Sequence, residues 1–328
     1  MSIIELPYIR TFITLDELKE AWETLCKSKG CAHRKVKPYK LRHVHIDPKY
    51  INNEYHILEC GAEDYYRINF ITDFFTEPAR LKARRFDQKL SPAEYWKQDS
   101  QDIVAKNPDA TPKALRSILY NVSVEVMNFR LTVAIALYDM FQPKSIFDPC
   151  AGHGDRVIAA MSRNYVTSYE GCEPNTGSHH GILAAMEVLG KEQDLQVHCI
   201  GFEDFKFEEH KYYDLVFTSP PYFDTEIYCS ENTQSIARHT TQDVWYKEFL
   251  LVMFLRCWDH VEVNGHMVIS INNVWDRQTN KMRFYCTEKL VQDLTSMCEN
   301  AEFLGVISFG DLGKRMEPMF VWKKKVTN

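Results

Sequence analysis

The apolar positions change their period along the chain, and the change divides it. Behind Thr14-Leu15-Asp16-Glu17, which has the capping-box pattern, they recur at helical spacing and predict a helix to about Lys29, closed by Gly30. Pro112 to Met140 reads as one helical stretch, with Leu115, Ile118, Leu119, Val122, Val126 and Met127 on one buried stripe. From Ser145 onward, short apolar runs alternate with helical segments. Ser145-Ile146-Phe147, Thr167 to Cys172, Leu195 to Gly201 and Tyr213-Asp214-Leu215-Val216-Phe217 read as strands. A long apolar helix after Thr241, the strand His266 to Ile271, a helix near 286–297 and a hairpin (Phe303–Phe309 with Met319–Lys323) complete the pattern. Strands separated by helices imply an α/β fold, a doubly wound parallel sheet with right-handed crossovers, finished here by an antiparallel hairpin. The stretch 97–113 is polar and turn-rich, so the boundary is drawn there. It separates a smaller N-terminal α+β region, 1–110, from an α/β domain over 111–328.

Composition sets the surroundings. A hydrophobic share of 45% with 26% charged residues fits a soluble globular protein, and the net charge of −6 argues against a wholly electrostatic nucleic-acid binder. The N-terminus lacks a signal-peptide pattern, no apolar run could cross a membrane, and ten cysteines without regular spacing suggest reduced thiols. An intracellular protein, cytoplasmic or nuclear, is expected.

Local charge runs against the total. Lys27, Lys29, Arg34, Lys35, Lys37, Lys40 and Arg42 crowd one segment with Tyr39 and three histidines; phosphate contacts and a solvated face both fit it. Cys26, Cys31, His33, His43, His45 and Cys60 match no paired metal-ligand spacing, so no metal is expected. A second basic cluster, Arg80, Lys82, Arg84 and Arg85, follows Phe74 and Phe75, with Pro78 placed in a first helical turn.

The chemistry collects at strand ends, where open α/β sheets bind ligands. The first strand leads into Asp148-Pro149-Cys150-Ala151-Gly152-His153-Gly154, a turn whose glycines allow close approach to a ligand. Val157 stands where a dinucleotide fingerprint needs a third small residue, which disfavours a pyrophosphate. The second strand ends at Glu173, a carboxylate suited to ribose hydroxyls. The third ends at Phe202-Glu203-Asp204, an aromatic ring beside acids suited to an adenine amino group. The fourth stops at Ser219-Pro220-Pro221-Tyr222, where two prolines lack N–H groups and leave carbonyls free. These ends describe a pocket for an adenosine without a phosphate chain.

In this order and spacing, Asp148-Pro149-x-x-Gly152-x-Gly154, Glu173, Glu203-Asp204 and Ser219-Pro220-Pro221-Tyr222 resemble the S-adenosylmethionine-dependent amino-methyltransferases of DNA. The resemblance covers roughly residues 140–325 and implies a Rossmann-like methyltransferase sheet with S-adenosyl-L-methionine as cofactor. It also implies that Asp148, Cys150, Gly152 and Gly154 hold the methionine end, Glu173 the ribose, and Asp204 or Glu203 the adenine, with Phe202 against the ring. Cys150 departs from the Phe common in that family, and the usual long recognition domain is missing. Residues 1–110, a protein partner or a homodimer would then supply recognition.

The fourth motif explains itself chemically. An exocyclic amine conjugated with a base is a poor nucleophile. Ser219 Oγ and the Pro220 carbonyl can accept its two N–H groups and free the lone pair, while Tyr222 stacks on a flipped-out base. No covalent nucleophile is needed, which separates this reading from a cytosine-C5 enzyme with a catalytic Pro-Cys pair. The polar loop 223–240 is expected to close over the base, with Tyr228 in contact, and Lys35, Lys37, Lys40 and Arg42 to meet phosphates. Serine at the head of the motif leans toward cytosine N4 in DNA. Adenine N6, a base amine in RNA, and a binding protein that kept the fold without turnover are the alternatives.

Overall fold

The computed structural model describes residues 5–29, 32–36, 55–59, 68–190, 193–276, 279, 281–310 and 317–326. In chain order the strands are β1 (Ala32–Val36), β2 (Tyr55–Glu59), β3 (Arg84–Arg85), β4 (Ser145–Asp148), β5 (Ser168–Cys172), β6 (Asp194–His198) and β7 (Tyr213–Thr218). After them come β8 (Glu226–Ile227), β9 (Val261–Ser270), β10 (Val274–Asp276), β11 (Lys281–Phe284), β12 (Ala301–Gly310) and β13 (Glu317–Lys324). Nine form one sheet in the order β1-β2-β12-β13-β9-β7-β4-β5-β6. From β9 to β6 the pairing is parallel, and β13 runs antiparallel between β9 and β12. This is the expected doubly wound sheet with its antiparallel finish. The chain builds outward from β4 through β5 to β6, then returns to place β7 on the other side of β4. The switch point between β4 and β7 leaves a crevice at the strands' C-terminal ends.

Side chains alternate across this sheet as the pleat requires. Ile146, Leu215, Phe217, Val268, Met319 and Val321 face one core, shared with the helices Leu131–Phe141, Asp155–Met161 and Thr176–Leu189. Phe147, Val216, Met267, Ile269, Phe320 and Trp322 face the other, beneath Val252–Asp259 and Thr287–Met297. Residues early in the chain join the same assembly. Leu18, Leu25, Ile68 and Ile71 belong to the first core, and β2 extends the sheet by parallel pairing with β12.

Helix ends follow local rules, and tertiary contacts explain the departures. The Thr14 capping box starts the helix Leu15–Lys27 as expected. The polar stretch near 97 is helical instead: Ser91 and Glu94 form a second capping box, Pro92 takes the first turn, and Pro92–Lys106 buries Trp96 and Ile103 under a polar face. The single helix expected from 112 to 140 is two, Pro112–Val122 and Leu131–Phe141. The break leaves Val122 and Met127 exposed while Leu119 and Val126 are buried. Pro78 lies inside the helix Phe70–Arg80 rather than in a first turn.

That helix is held by a buried ionic cluster. Arg80 donates to Asp73 Oδ1 at 3.0 Å, and Arg116 donates to Asp73 Oδ2 at 2.8 Å and to Glu77 Oε1 at 2.5 Å. Tyr120 also donates to Glu77, as does the backbone N–H of Ile9. Burial, with Asp73 alongside, pushes the Glu77 carboxyl up from its ordinary value. Removing one partner strands a charge in a dry site, which typically costs about 3–5 kcal/mol. Arg80, 2% exposed, is the member to test. Arg80→Met is expected to lose about that much stability in urea unfolding. A loss below about 1 kcal/mol would show that the cluster does not hold the helix.

Candidate active site

A cavity of about 390 Å³ opens at the switch point, within the range of small-molecule sites. Its wall divides into two halves that meet between β4 and β7.

The first half is built on the turn after β4. Asp148 does not reach the cavity: its carboxylate accepts from Arg156 Nε and the Tyr169 hydroxyl, each at 2.7 Å, and from the Cys150 N–H at 3.2 Å. Arg156 also donates to the Cys150 carbonyl. Asp148 and Arg156 thus clamp the turn from beneath, and Cys150 to His153 form the wall above. Gly152 has φ +63°, a left-handed conformation that costs little only for glycine, and a Cβ there would meet the Cys150 carbonyl at 4.0 Å, an ordinary contact. Gly154 (φ +95°) has a packing role, since a Cβ there would stand 2.7 Å from Ile182.

Glu173, just beyond β5, lines the cavity and accepts the Asn175 N–H at 2.8 Å. Burial raises its carboxyl to about 8, although backbone N–H groups of Asn175 and Gly152 oppose the shift. Phe202 and Glu203 line the cavity; Asp204 does not. Its carboxylate points to the surface and pairs with Arg238 at 2.5 Å.

Several wall residues were not singled out from the sequence, and two of them are titratable groups in the first turn. His153 is held by Ser178 Oγ at 3.0 Å from Nδ1, and burial lowers it to about 3, so it is neutral at physiological pH. Asp155 is pushed up to about 7, again by burial. Both follow glycines in the turn, so their position in the motif was the available signal.

The second half is built on the end of β7. Ser219, Pro220, Pro221 and Tyr222 all line the cavity. The Tyr222 hydroxyl donates to the Ser270 carbonyl at 3.5 Å. Phe223 follows at φ +52° and turns the chain sharply, its ring buried against Trp245. The chain then pairs with β3 through β8, which brings Arg85, Glu226 and Tyr228 to the wall. Tyr228 donates to Glu226 at 2.8 Å. Glu317 of β13 closes the far side and accepts from Asn272 at 3.0 Å. Asn273 instead caps the helix Thr287–Met297, accepting the N–H groups of Cys286 and Thr287.

The loop 223–240 is shared between the halves. Its first part lines the second half. Its later part crosses to the first: Glu231 accepts from Thr176, Thr233 donates to the Pro174 carbonyl, and Thr233, Gln234 and Ser235 join the wall. Of the basic N-terminal residues, Lys35 lies in β1, while Lys37, Lys40 and Arg42 fall outside the described residues. Among the described residues no helix is long and apolar enough to cross a membrane.

No protein-family model and no curated protein matches the chain. Among solved structures, similarity is found to a methyltransferase from Pyrococcus furiosus, with 12% identity, 70% of this chain and 100% of that chain covered, and a TM-score of 0.39. TrmN from Thermus thermophilus gives 13% identity, 60% and 49% coverage, and a TM-score of 0.38, so this chain spans about half of its length. An rRNA methylase from Streptococcus thermophilus gives 12% identity, 62% and 100% coverage, and a TM-score of 0.38. Likenesses this distant say nothing of what the site does, which its own residues must decide.

Proposed function

We propose that this chain transfers the methyl group of S-adenosyl-L-methionine to the exocyclic amine of a flipped-out base in DNA, cytosine N4 by the serine at the head of its motif. The observation that carries this reading is one cavity joining Gly152, Glu173 and Glu203 on one side to Ser219 through Tyr222 on the other.

The first half fits an adenosine-bearing cofactor by its chemistry. A glycine in a left-handed turn keeps the wall low, and buried Glu173 offers its carboxyl to paired hydroxyls with no cation hydrogen-bonded to it among the described residues. Cys150, Gly152 and His153 would face the methionine end, with Asp148 and Gly154 holding that turn in shape. Glu203, not the surface-paired Asp204, would face the adenine. When bound, the cofactor supplies an activated methyl group on a sulfonium.

The second half works on the acceptor. Ser219 Oγ and the Pro220 carbonyl would take the two N–H groups of the amine, favouring the tetrahedral nitrogen that forms only as the new bond does. Tyr222, anchored through its hydroxyl, would give the base a face to stack on. Arg85 and Arg130 on the wall offer cations for the nucleotide's phosphates.

Labelled S-adenosylmethionine incubated with mixed-sequence DNA and RNA, followed by digestion to nucleosides, tests this directly. Label in N4-methylcytosine is the expected result. Label only in N6-methyladenine or in RNA would move the substrate, and no label in any polymer would overturn the reading.

A further inference from the structure

The loop that leaves the acceptor motif ends by walling the opposite half of the cavity. Over 231–239 it is tied to the ends of β5 and β6 at several points. Glu231 accepts from the Thr176 hydroxyl at 3.0 Å, Thr233 donates to the Pro174 carbonyl at 3.3 Å, and Arg238 pairs with Asp204 at 2.5 Å. His239 stands 3.4 Å from Glu203 Oε1. The approach is close: a Cβ on Gly201 would lie 3.2 Å from the Thr233 carbonyl. Trp245 donates to Ser235 Oγ at 3.2 Å and fixes the far end.

Gln234 sits at the centre of these ties. It lines the cavity together with Gly201, Phe202 and Glu203, it is only 7% exposed, and its Nε2 has no hydrogen-bond partner among the described residues. Buried amide donors are rarely left unpaired, and because the side chain lines the cavity, a turn of its amide would bring this donor to an acceptor atom on a ligand. Glu203 beside it can only accept while ionised. A donor and an acceptor next to an aromatic ring match the edge of adenine, which offers ring nitrogens as acceptors and an amino group as donor.

We propose that Gln234 donates to a ring nitrogen of the cofactor's adenine while Glu203 accepts its amino group, so that the loop from the acceptor motif also reads the donor. The inference rests on the methyl-transfer reading above, and it assigns to Glu203 and Gln234 together the task for which the sequence offered Asp204 or Glu203. Asp204 serves instead as the anchor for Arg238. One loop therefore carries Glu226 and Tyr228 on the acceptor side and Gln234 on the donor side.

Calorimetric binding of S-adenosylhomocysteine needs no acceptor and tests the assignment. Its 1-deaza, 3-deaza and 7-deaza analogues each replace one ring nitrogen with carbon. Wild type is expected to bind one of the three about tenfold more weakly than the parent. Gln234→Ala should bind the parent about tenfold more weakly and lose that analogue's penalty, since the donor it depended on is gone. Gln234→Glu, equal in size but unable to donate when ionised, should behave like the alanine variant. Arg238→Ala, which loosens the loop without touching the amide, should weaken binding yet keep the analogue preference. Equal affinity of Gln234→Ala for the parent, or an undiminished penalty in that variant with its melting temperature unchanged, would overturn the assignment. Failure of wild type to bind S-adenosylhomocysteine at all would overturn the methyl-transfer reading beneath it.

Discussion

Ser219→Ala is expected to lower the methyl-transfer rate about 10²- to 10³-fold, the usual loss when one group aimed at the transition state is removed. Cofactor affinity should stay within about twofold, because Ser219 lies in the half of the cavity built on β7 and the cofactor half is built on β4 to β6. The split matters more than the size of the loss. A hydrogen-bond acceptor that works only as the amine turns tetrahedral affects turnover, whereas a residue that merely shapes the turn would disturb binding of both partners. Tyr222→Ala should remove stacking on the base, worth about 1–3 kcal/mol, and appear chiefly as a raised KM for the nucleic acid. Tyr222→Phe keeps the ring and gives up only the hydroxyl's bond to Ser270, so it should act much closer to wild type. Single-turnover rates on the base identified by labelling separate these cases. Turnover of Ser219→Ala equal to wild type would reduce the motif to a turn.

The sheet from β4 to β9 was legible because most of its strands are short, carry apolar residues at their buried positions and are closed by turns whose residues are local. Ile146, Val216 and Phe217 are buried by any parallel sheet they join, whatever covers it. The site's backbone was legible for the same reason: each motif residue sits within a few positions of a strand end. What escaped depends on long-range partners. Nothing local tells Glu203 from Asp204, since only the arrival of Arg238 and Gln234 from a loop thirty or more residues later sends one carboxylate outward and leaves the other on the wall. The same holds for β2, which finds β12 across most of the chain, and for Asp73 and Glu77, whose partners Arg116 and Tyr120 come from another helix. Polar composition also misled near 97. A helix with one buried stripe under a solvated face reads as a linker when its capping box at Ser91 is overlooked.

Glu173 should make cofactor binding depend on pH in a direction fixed by its burial. Its carboxyl is raised to about 8 from a model-compound value of 4.5, so in the empty site it is mostly protonated at neutral pH. Two ribose hydroxyls donating one to each carboxyl oxygen favour the ionised form, because protonation turns one of those oxygens into a donor. Binding therefore expels a proton below pH 8, and affinity should rise about tenfold per unit up to that pH and then level off. Folding stability of the empty protein runs the other way. A carboxyl whose folded pKa lies above its unfolded one contributes stability that is full below about 4.5 and lost as pH rises toward 8. Asp155, raised to about 7, adds to the same trend. Calorimetry of S-adenosylhomocysteine at pH 7 in buffers of different ionisation enthalpy should show a proton released by wild type and none by Glu173→Gln. That variant should also bind about 100-fold more weakly, since hydrogen bonds to a charged acceptor are worth about 1.5–3 kcal/mol each. Equal proton release by both proteins would place the titrating group elsewhere, with Asp155→Asn the next to measure. Stability and affinity therefore move in opposite directions between about pH 4.5 and 8: Glu173 contributes most to the folded state where the cofactor binds least well, and binding is fullest where that contribution is gone.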